Sequence, residues 1–200
     1  DNIKLNSLDG RLAINNNFSY QRNLDKSYAS LASTQINWLN RNIDQNYGLL
    51  FDNEATIRVV SISNDYKNEK DTENVRFFPQ ISSKISYPLF KSSTLSNQTL
   101  SPILMPIIAP YNNYTEHKSI TNNNLFSTNR ASSITESESG PRINYGVEWF
   151  MANKNNFDIK IVAGQNLKFN KEKNDTAEEL SDFYITSNFI FGDNNYFNNS

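Results

Sequence analysis

Apolar and polar residues alternate along most of this chain. In RINYGVEWFM, Ile143, Tyr145, Val147, Trp149 and Met151 fall on one side, and Arg142, Asn144, Gly146 and Glu148 on the other. A period of two is the pattern of a β-strand with one apolar and one polar face. FDIKIVAG repeats it, with Phe157, Ile159, Ile161 and Ala163 against Asp158, Lys160, Val162 and Gly164. VRFFPQISSKISY sets Val75, Phe77, Ile81, Ile85 and Tyr87 against Arg76, Gln80, Ser82, Lys84 and Ser86. FYITSNFIF adds Phe183, Ile185, Phe189 and Phe191. Weaker copies occur at 11–21 (Leu12, Ile14, Phe18, Tyr20), 29–39 (Ala32, Thr34, Ile36, Trp38) and 48–63 (Leu49, Phe51, Ala55, Ile57, Val59).

LSPILMPIIAP, at 100–110, is apolar on both faces and carries three prolines. Proline cannot donate to a ladder, so an irregular strand is expected there. A short strand at 2–8 precedes the turn at Asp9-Gly10. No segment longer than ten residues has a helical period, and TAEELSDF is expected to make at most one helical turn. The fold class is all-β, with about nine antiparallel up-and-down strands, most of them 9–14 residues long. Strands of soluble sheets have a mode of about 5–6 residues, whereas a tilted membrane-spanning strand needs about 9–11.

The connections carry a second signal. Those at 9–10, 40–47, 91–99 and 152–156 are short, and those at 22–28, 64–73, 109–141 and 167–181 are mostly longer. The two sets alternate, as they do in outer-membrane barrels with short periplasmic turns and long extracellular loops. The expected fold is therefore part of a large transmembrane β-barrel, with residues 1–200 in one domain and a long extracellular loop at about 109–141. Its polar face would line a wet lumen with Arg76, Lys84, Arg142, Asn144, Glu148, Asp158 and Lys160. Tyr20, Trp38, Tyr87, Tyr145 and Trp149 are candidates for an interfacial girdle. A soluble β-sandwich also alternates apolar and polar residues, and stays open as an alternative.

Composition narrows the function. Hydrophobic residues make up 37% and mean hydropathy is -0.65, low for a packed core, yet aromatics reach 12%, too many for a disordered chain. A barrel reconciles the two, since only half of each strand must be apolar. The net charge of -2, with no basic block, argues against nucleic acid. Without cysteine there is no disulfide or thiolate metal site. No apolar run reaches the ~18 residues of a membrane helix. The chain opens at Asp1 and ends in NNYFNNS, which reads as a piece of a longer protein. His117 is the only histidine, and no second one stands near it for a metal or a triad. Glu136 and Glu138 form a close carboxylate pair in a Ser-rich stretch, which reads as solvated rather than catalytic. No enzyme signature and no cofactor site is present in the pattern.

Residues 109–141 are long for a connection without structure, since loops beyond about 12–15 residues usually have a task. Here TLSPILMPIIAPY, NLFSTNR and ESGPRINYGVEWF follow one another, after Arg76-Phe77-Phe78-Pro79 and Tyr87-Pro88-Leu89. This order resembles the C-terminal barrel of the LptD family of outer-membrane lipopolysaccharide-assembly proteins. The resemblance covers about 73–150 well. The family's Glu before Pro is Ser101 here, and its Gly-x-Asp-Arg part reads SSITES.

The resemblance implies non-enzymatic lipid transport. It implies a plug lipoprotein (LptE-like) in the lumen and a periplasmic bridge protein acting through a domain outside this stretch. Lipopolysaccharide would be inserted into the outer leaflet of a Gram-negative outer membrane. On this reading Asn124, Leu125, Phe126, Arg130, Glu138, Arg142 and Asn144 are the candidate loop and lumen residues. Leu125 and Phe126 would anchor the loop on apolar surface, and Arg130 and Arg142 would pair with Glu136, Glu138 or lumen carboxylates. A porin-type or receptor-type barrel is the alternative within the membrane class.

Overall fold

The alternating stretches are strands. The computed structural model of the chain describes residues 2–3, 9–24, 27–65, 72–114, 120–121, 124–153, 157–169, 180–191 and 195–199. They contain β1 (Asn2–Ile3), β2 (Arg11–Arg22), β3 (Tyr28–Asp44), β4 (Leu49–Asp65), β5 (Thr72–Ser86) and β6 (Leu89–Ser92). β7 (Ser96–Ile108), β8 (Arg142–Asn153), β9 (Phe157–Lys168), β10 (Tyr184–Phe191) and β11 (Asn195–Asn199) follow. Each expected strand has its counterpart, and β6 and β11 are short additions. The first half of TAEELSDF, 176–179, lies outside the described residues, and Leu180 in its second half forms an isolated bridge with Leu167. His117 also lies outside them.

All strands belong to one sheet, in the order β1-β2-β3-β4-β5-β7-β8-β9-β10-β11, with β6 paired on β7. Every pairing is antiparallel. Strand therefore follows strand up and down, and the sheet is open, with β1 and β11 outermost. At one end β3 and β4 are joined through 45–48 and β6 and β7 through 93–95, and only three residues separate β8 from β9; at the other, five residues separate β2 from β3, six β4 from β5, 33 β7 from β8 and 15 β9 from β10. The turn at 45–48 is tight because Asp44 accepts from the N–H of Asn46 through its side chain and from Gly48 through its carbonyl, with Gly48 at φ 69.

The prolines act where expected. β7 pairs with β8 from Ser96↔Asn153 to Ile107↔Arg142, but meets β5 only at Ile81↔Ile108, Ser82↔Ile107, Ile85↔Leu104 and Ser86↔Ile103. Pro106 falls in the gap and has no N–H to give. Pro88 interrupts the line of β5, which resumes as β6 with Leu89↔Leu100.

Register fixes the faces. Phe18, Ile36, Ile57, Val59, Val75, Phe77, Ile81, Leu104, Ile108 and Ile185 all fall on one face, and all are exposed, Phe18 by 76% and Val75 by 69%. Tyr20, Trp38, Tyr145 and Trp149 share it. Tyr87 is exposed just past β5. Arg58, Arg76, Gln80, Ser82, Arg142 and Asn144 fall on the other face, and the described residues between β7 and β8 fold onto it. A soluble sandwich buries its apolar face against a second sheet. Here the polar face is the covered one, and the sandwich alternative fails on that inversion.

Candidate functional site

The described residues of 109–141 (109–114, 120–121 and 124–141) form a strap across the polar face. A stretch outside any ladder leaves backbone carbonyls that need donors, and the polar face supplies them. Arg76 donates to the Thr135 carbonyl at 2.7 Å, and Arg58 to the Glu136 carbonyl. Gln80 Nε2 donates to both Ser137 Oγ and the Glu138 carbonyl at 3.0 Å. Lower down, Ser82 and Thr128 share a hydrogen bond of 2.7 Å, and Thr128 also donates to Glu54. Near the start of the strap, Arg76 stacks 3.8 Å from the Tyr114 ring centroid, and Asn74 bonds the Tyr114 hydroxyl at 3.0 Å.

The centre of the strap is a buried ion cluster. Arg130, Glu138 and Arg142 are exposed by only 6%, 4% and 1%. Arg130 forks onto Glu138, with Nε 2.8 Å from Oε2 and Nη2 on Oε1. Arg142 approaches Oε2 to 3.2 Å. Arg142 also donates to the Thr128 and Gly140 carbonyls, and Asn129 Oδ1 accepts from the Glu138 N–H at 3.0 Å. Burial pushes the Glu138 carboxyl up, but the Arg130 hydrogen bond and the charges of Arg142, Arg130 and Lys168 outweigh it and hold the group below the usual carboxylate range. The expected solvated carboxylate pair is thus corrected. Glu138 is enclosed because an arginine reaches it from either side, while half-buried Glu136 contributes its carbonyl to Arg58. Arg130 Nη1, Arg142 Nε and Asn144 Nδ2 are buried without a hydrogen-bond partner.

Leu125 is the apolar anchor. Asn124 Oδ1 accepts from the Thr121 N–H at 2.6 Å, and the Leu125 N–H donates to the Thr121 carbonyl at 3.0 Å, closing a turn that presents Leu125. Its side chain is buried with Ile120 and Val162, flanked by Phe126 and Tyr184. The socket exists because Gly146 and Gly164 face each other across β8 and β9. A Cβ on Gly164 would stand 2.3 Å from the Tyr145 carbonyl oxygen and 3.1 Å from Leu125 Cδ2, and one on Gly146 would stand 2.1 Å from the Ala163 oxygen. Phe126 lies with its ring centroid 5.4 Å from Lys84 Nζ. Asn144, fully buried, accepts from Asn166 through its Oδ1.

The structure thus gathers Leu125, Phe126, Arg130, Glu138, Arg142 and Asn144 under or within the strap, with Asn124 shaping its turn. The sequence reading missed Arg58, Thr128, Asn166 and the glycine pair. Strand parity was the signal for Arg58 and for the glycines, since all three sit on the polar face. Among the described residues no group of His, Asp and Glu is arranged to hold a metal.

The family model described as LptD, LPS transport system D, matches residues 10–199. The chain belongs to the LptD family. LptD proteins serve lipopolysaccharide transport and outer-membrane assembly, and they are not a family of enzymes. The open antiparallel sheet is accordingly a portion of an outer-membrane β-barrel, and the strap is an LptD connection folded onto the polar side of the wall. No curated protein shows a significant match to the chain.

Proposed function

We propose that this chain forms part of the barrel wall of a translocon that inserts lipopolysaccharide into the outer leaflet of a Gram-negative outer membrane. The observation that carries the reading is the inversion of the two faces in a chain of the LptD family. An exposed apolar face suits lipid, and a polar face suits a wet lumen through which sugars and phosphates can pass. Backbone groups are paired strand to strand, as a wall in hydrocarbon requires. The end with the long connections faces the cell exterior, and the strap at 109–141 closes over the barrel mouth. The polar face is also the surface on which a plug lipoprotein would sit. A periplasmic bridge protein would deliver the lipid through a domain outside this chain.

Depletion of the full-length protein tests the reading. Lipopolysaccharide at the cell surface should fall, and bulky antibiotics should enter. Re-expression of the intact gene should restore both. Unchanged surface lipopolysaccharide after depletion would overturn it.

A further inference from the structure

Strap and wall do not touch everywhere. Between them lies a cavity of about 390 Å³, at the lower end of the roughly 300–1,000 Å³ of small-ligand sites. Gln35, Glu54, Arg58 and Phe78 come from β3, β4 and β5, and the strap closes the cavity with Phe126 and Asn129. The lining mixes donors and acceptors. Glu54 accepts from Thr56 and Thr128, one bond on each oxygen, and a carboxylate has about four lone-pair sites. Asn129 spends its oxygen on the Ala131 and Glu138 N–H groups, which leaves its amide hydrogens. Gln35 donates to Asn37 at 2.9 Å, which leaves its oxygen. Two aromatic rings border the cavity; Phe78 is buried beneath Arg58, and half-buried Phe126 is the more open of the two.

The lining discriminates between parts of a glycolipid. An acyl chain there would strand polar groups without partners. A phosphate would meet one like charge, Glu54, and one cation, Arg58, whose Nη2 is already on the Glu136 carbonyl and whose Nε is unpaired, so a neutral oxygen suits this pair better than an anion. A sugar ring matches both features, because its hydroxyls donate and accept at once and a C–H face can pack on the Phe126 ring. We propose that this cavity is a saccharide subsite, half wall and half strap, that holds a sugar unit of the lipid's glycan at the barrel mouth. The inference rests on the transport reading above.

The test uses the full-length protein, purified in detergent with its copurifying partners, and isothermal titration. The probes are delipidated core oligosaccharide and, as a comparison sugar, maltotriose. Core oligosaccharide should bind, and more tightly than maltotriose. Gln35→Trp, which fills the cavity from β3, should weaken binding roughly tenfold or more, with protease protection of the strap unchanged. Gln35→Leu, a milder change should the larger one misfold, should weaken it less. Absence of oligosaccharide binding to the native protein would overturn the subsite. Equal binding of maltotriose would do so too, as would unchanged affinity in a folded Gln35 variant. If depletion still lowers surface lipopolysaccharide in that case, the subsite alone has failed and the transport reading stands.

Discussion

Arg142, the first residue of β8, reaches back to 3.2 Å from Glu138, the carboxylate that Arg130 grips from within the strap. Wall and strap therefore share one buried negative charge. Breaking a buried ion pair from one side costs about 3–5 kcal/mol, because the remaining charge stays buried without its partner. Glu138→Gln, which keeps the shape, should release the strap while leaving the strands paired. Hydrogen exchange should show lost protection at 124–140 and unchanged protection in β3, β4 and β9. Equal protection throughout would count against a latch.

The same pair sets a pH dependence. Glu138 titrates below the usual carboxylate range in the folded protein, so its contribution is fully present above the unfolded value of about 4.3 and is lost as pH falls through the folded one. Cleavage of the strap by an acid-active protease should stay slow down to that range and rise below it. In Glu138→Gln the rise should be absent. A rise that begins near neutral pH would point to another group.

Gly164→Ala tests the apolar anchor. The new methyl must displace the Tyr145 carbonyl and Leu125 Cδ2, and overpacking of this kind typically costs about 1–3 kcal/mol. Exchange at Leu125 and along β8–β9 should accelerate. A thermal midpoint unchanged from the native protein would show that the socket has room to spare.

The exposed apolar face gives a prediction about depth. Ile57 is central in β4 (Leu49–Asp65) and points outward. Arginine on the lipid face at the bilayer midplane costs about 2–4 kcal/mol. Ile57→Arg should lose that much in a urea titration from vesicles, and Thr56→Ser, one residue away on the inner face, should lose far less. Equal losses would mean that the two faces do not meet different solvents.

Much of the fold was legible because a period of two is a direct consequence of strand geometry. The pattern at 142–149 and 157–164 placed those side chains of β8 and β9 on their observed faces. It also marked β7 as irregular, through Pro106. The site was legible only in part. Leu125, Arg130 and Glu138 stood out as apolar and charged residues in a Ser- and Asn-rich stretch, but their burial depends on where the strap lands. Nothing local in TESESG says which glutamate meets two arginines. Thr135 and Glu136 act through carbonyls, which every residue has, and Gly146 and Gly164 act through missing side chains.

The central claim is that this wall stands in an outer membrane with its long connections outside. The chain has no cysteine, so single cysteines can be placed in the full-length protein at Ser132 of the strap and at Gln45 of the tight turn, both exposed, with any other cysteine replaced. Intact cells then meet a membrane-impermeant maleimide. Labelling at 132 but not at 45, with both labelled after lysis, is the predicted result. Labelling at neither position until lysis would contradict the outer-membrane topology, and labelling at 45 alone would reverse it.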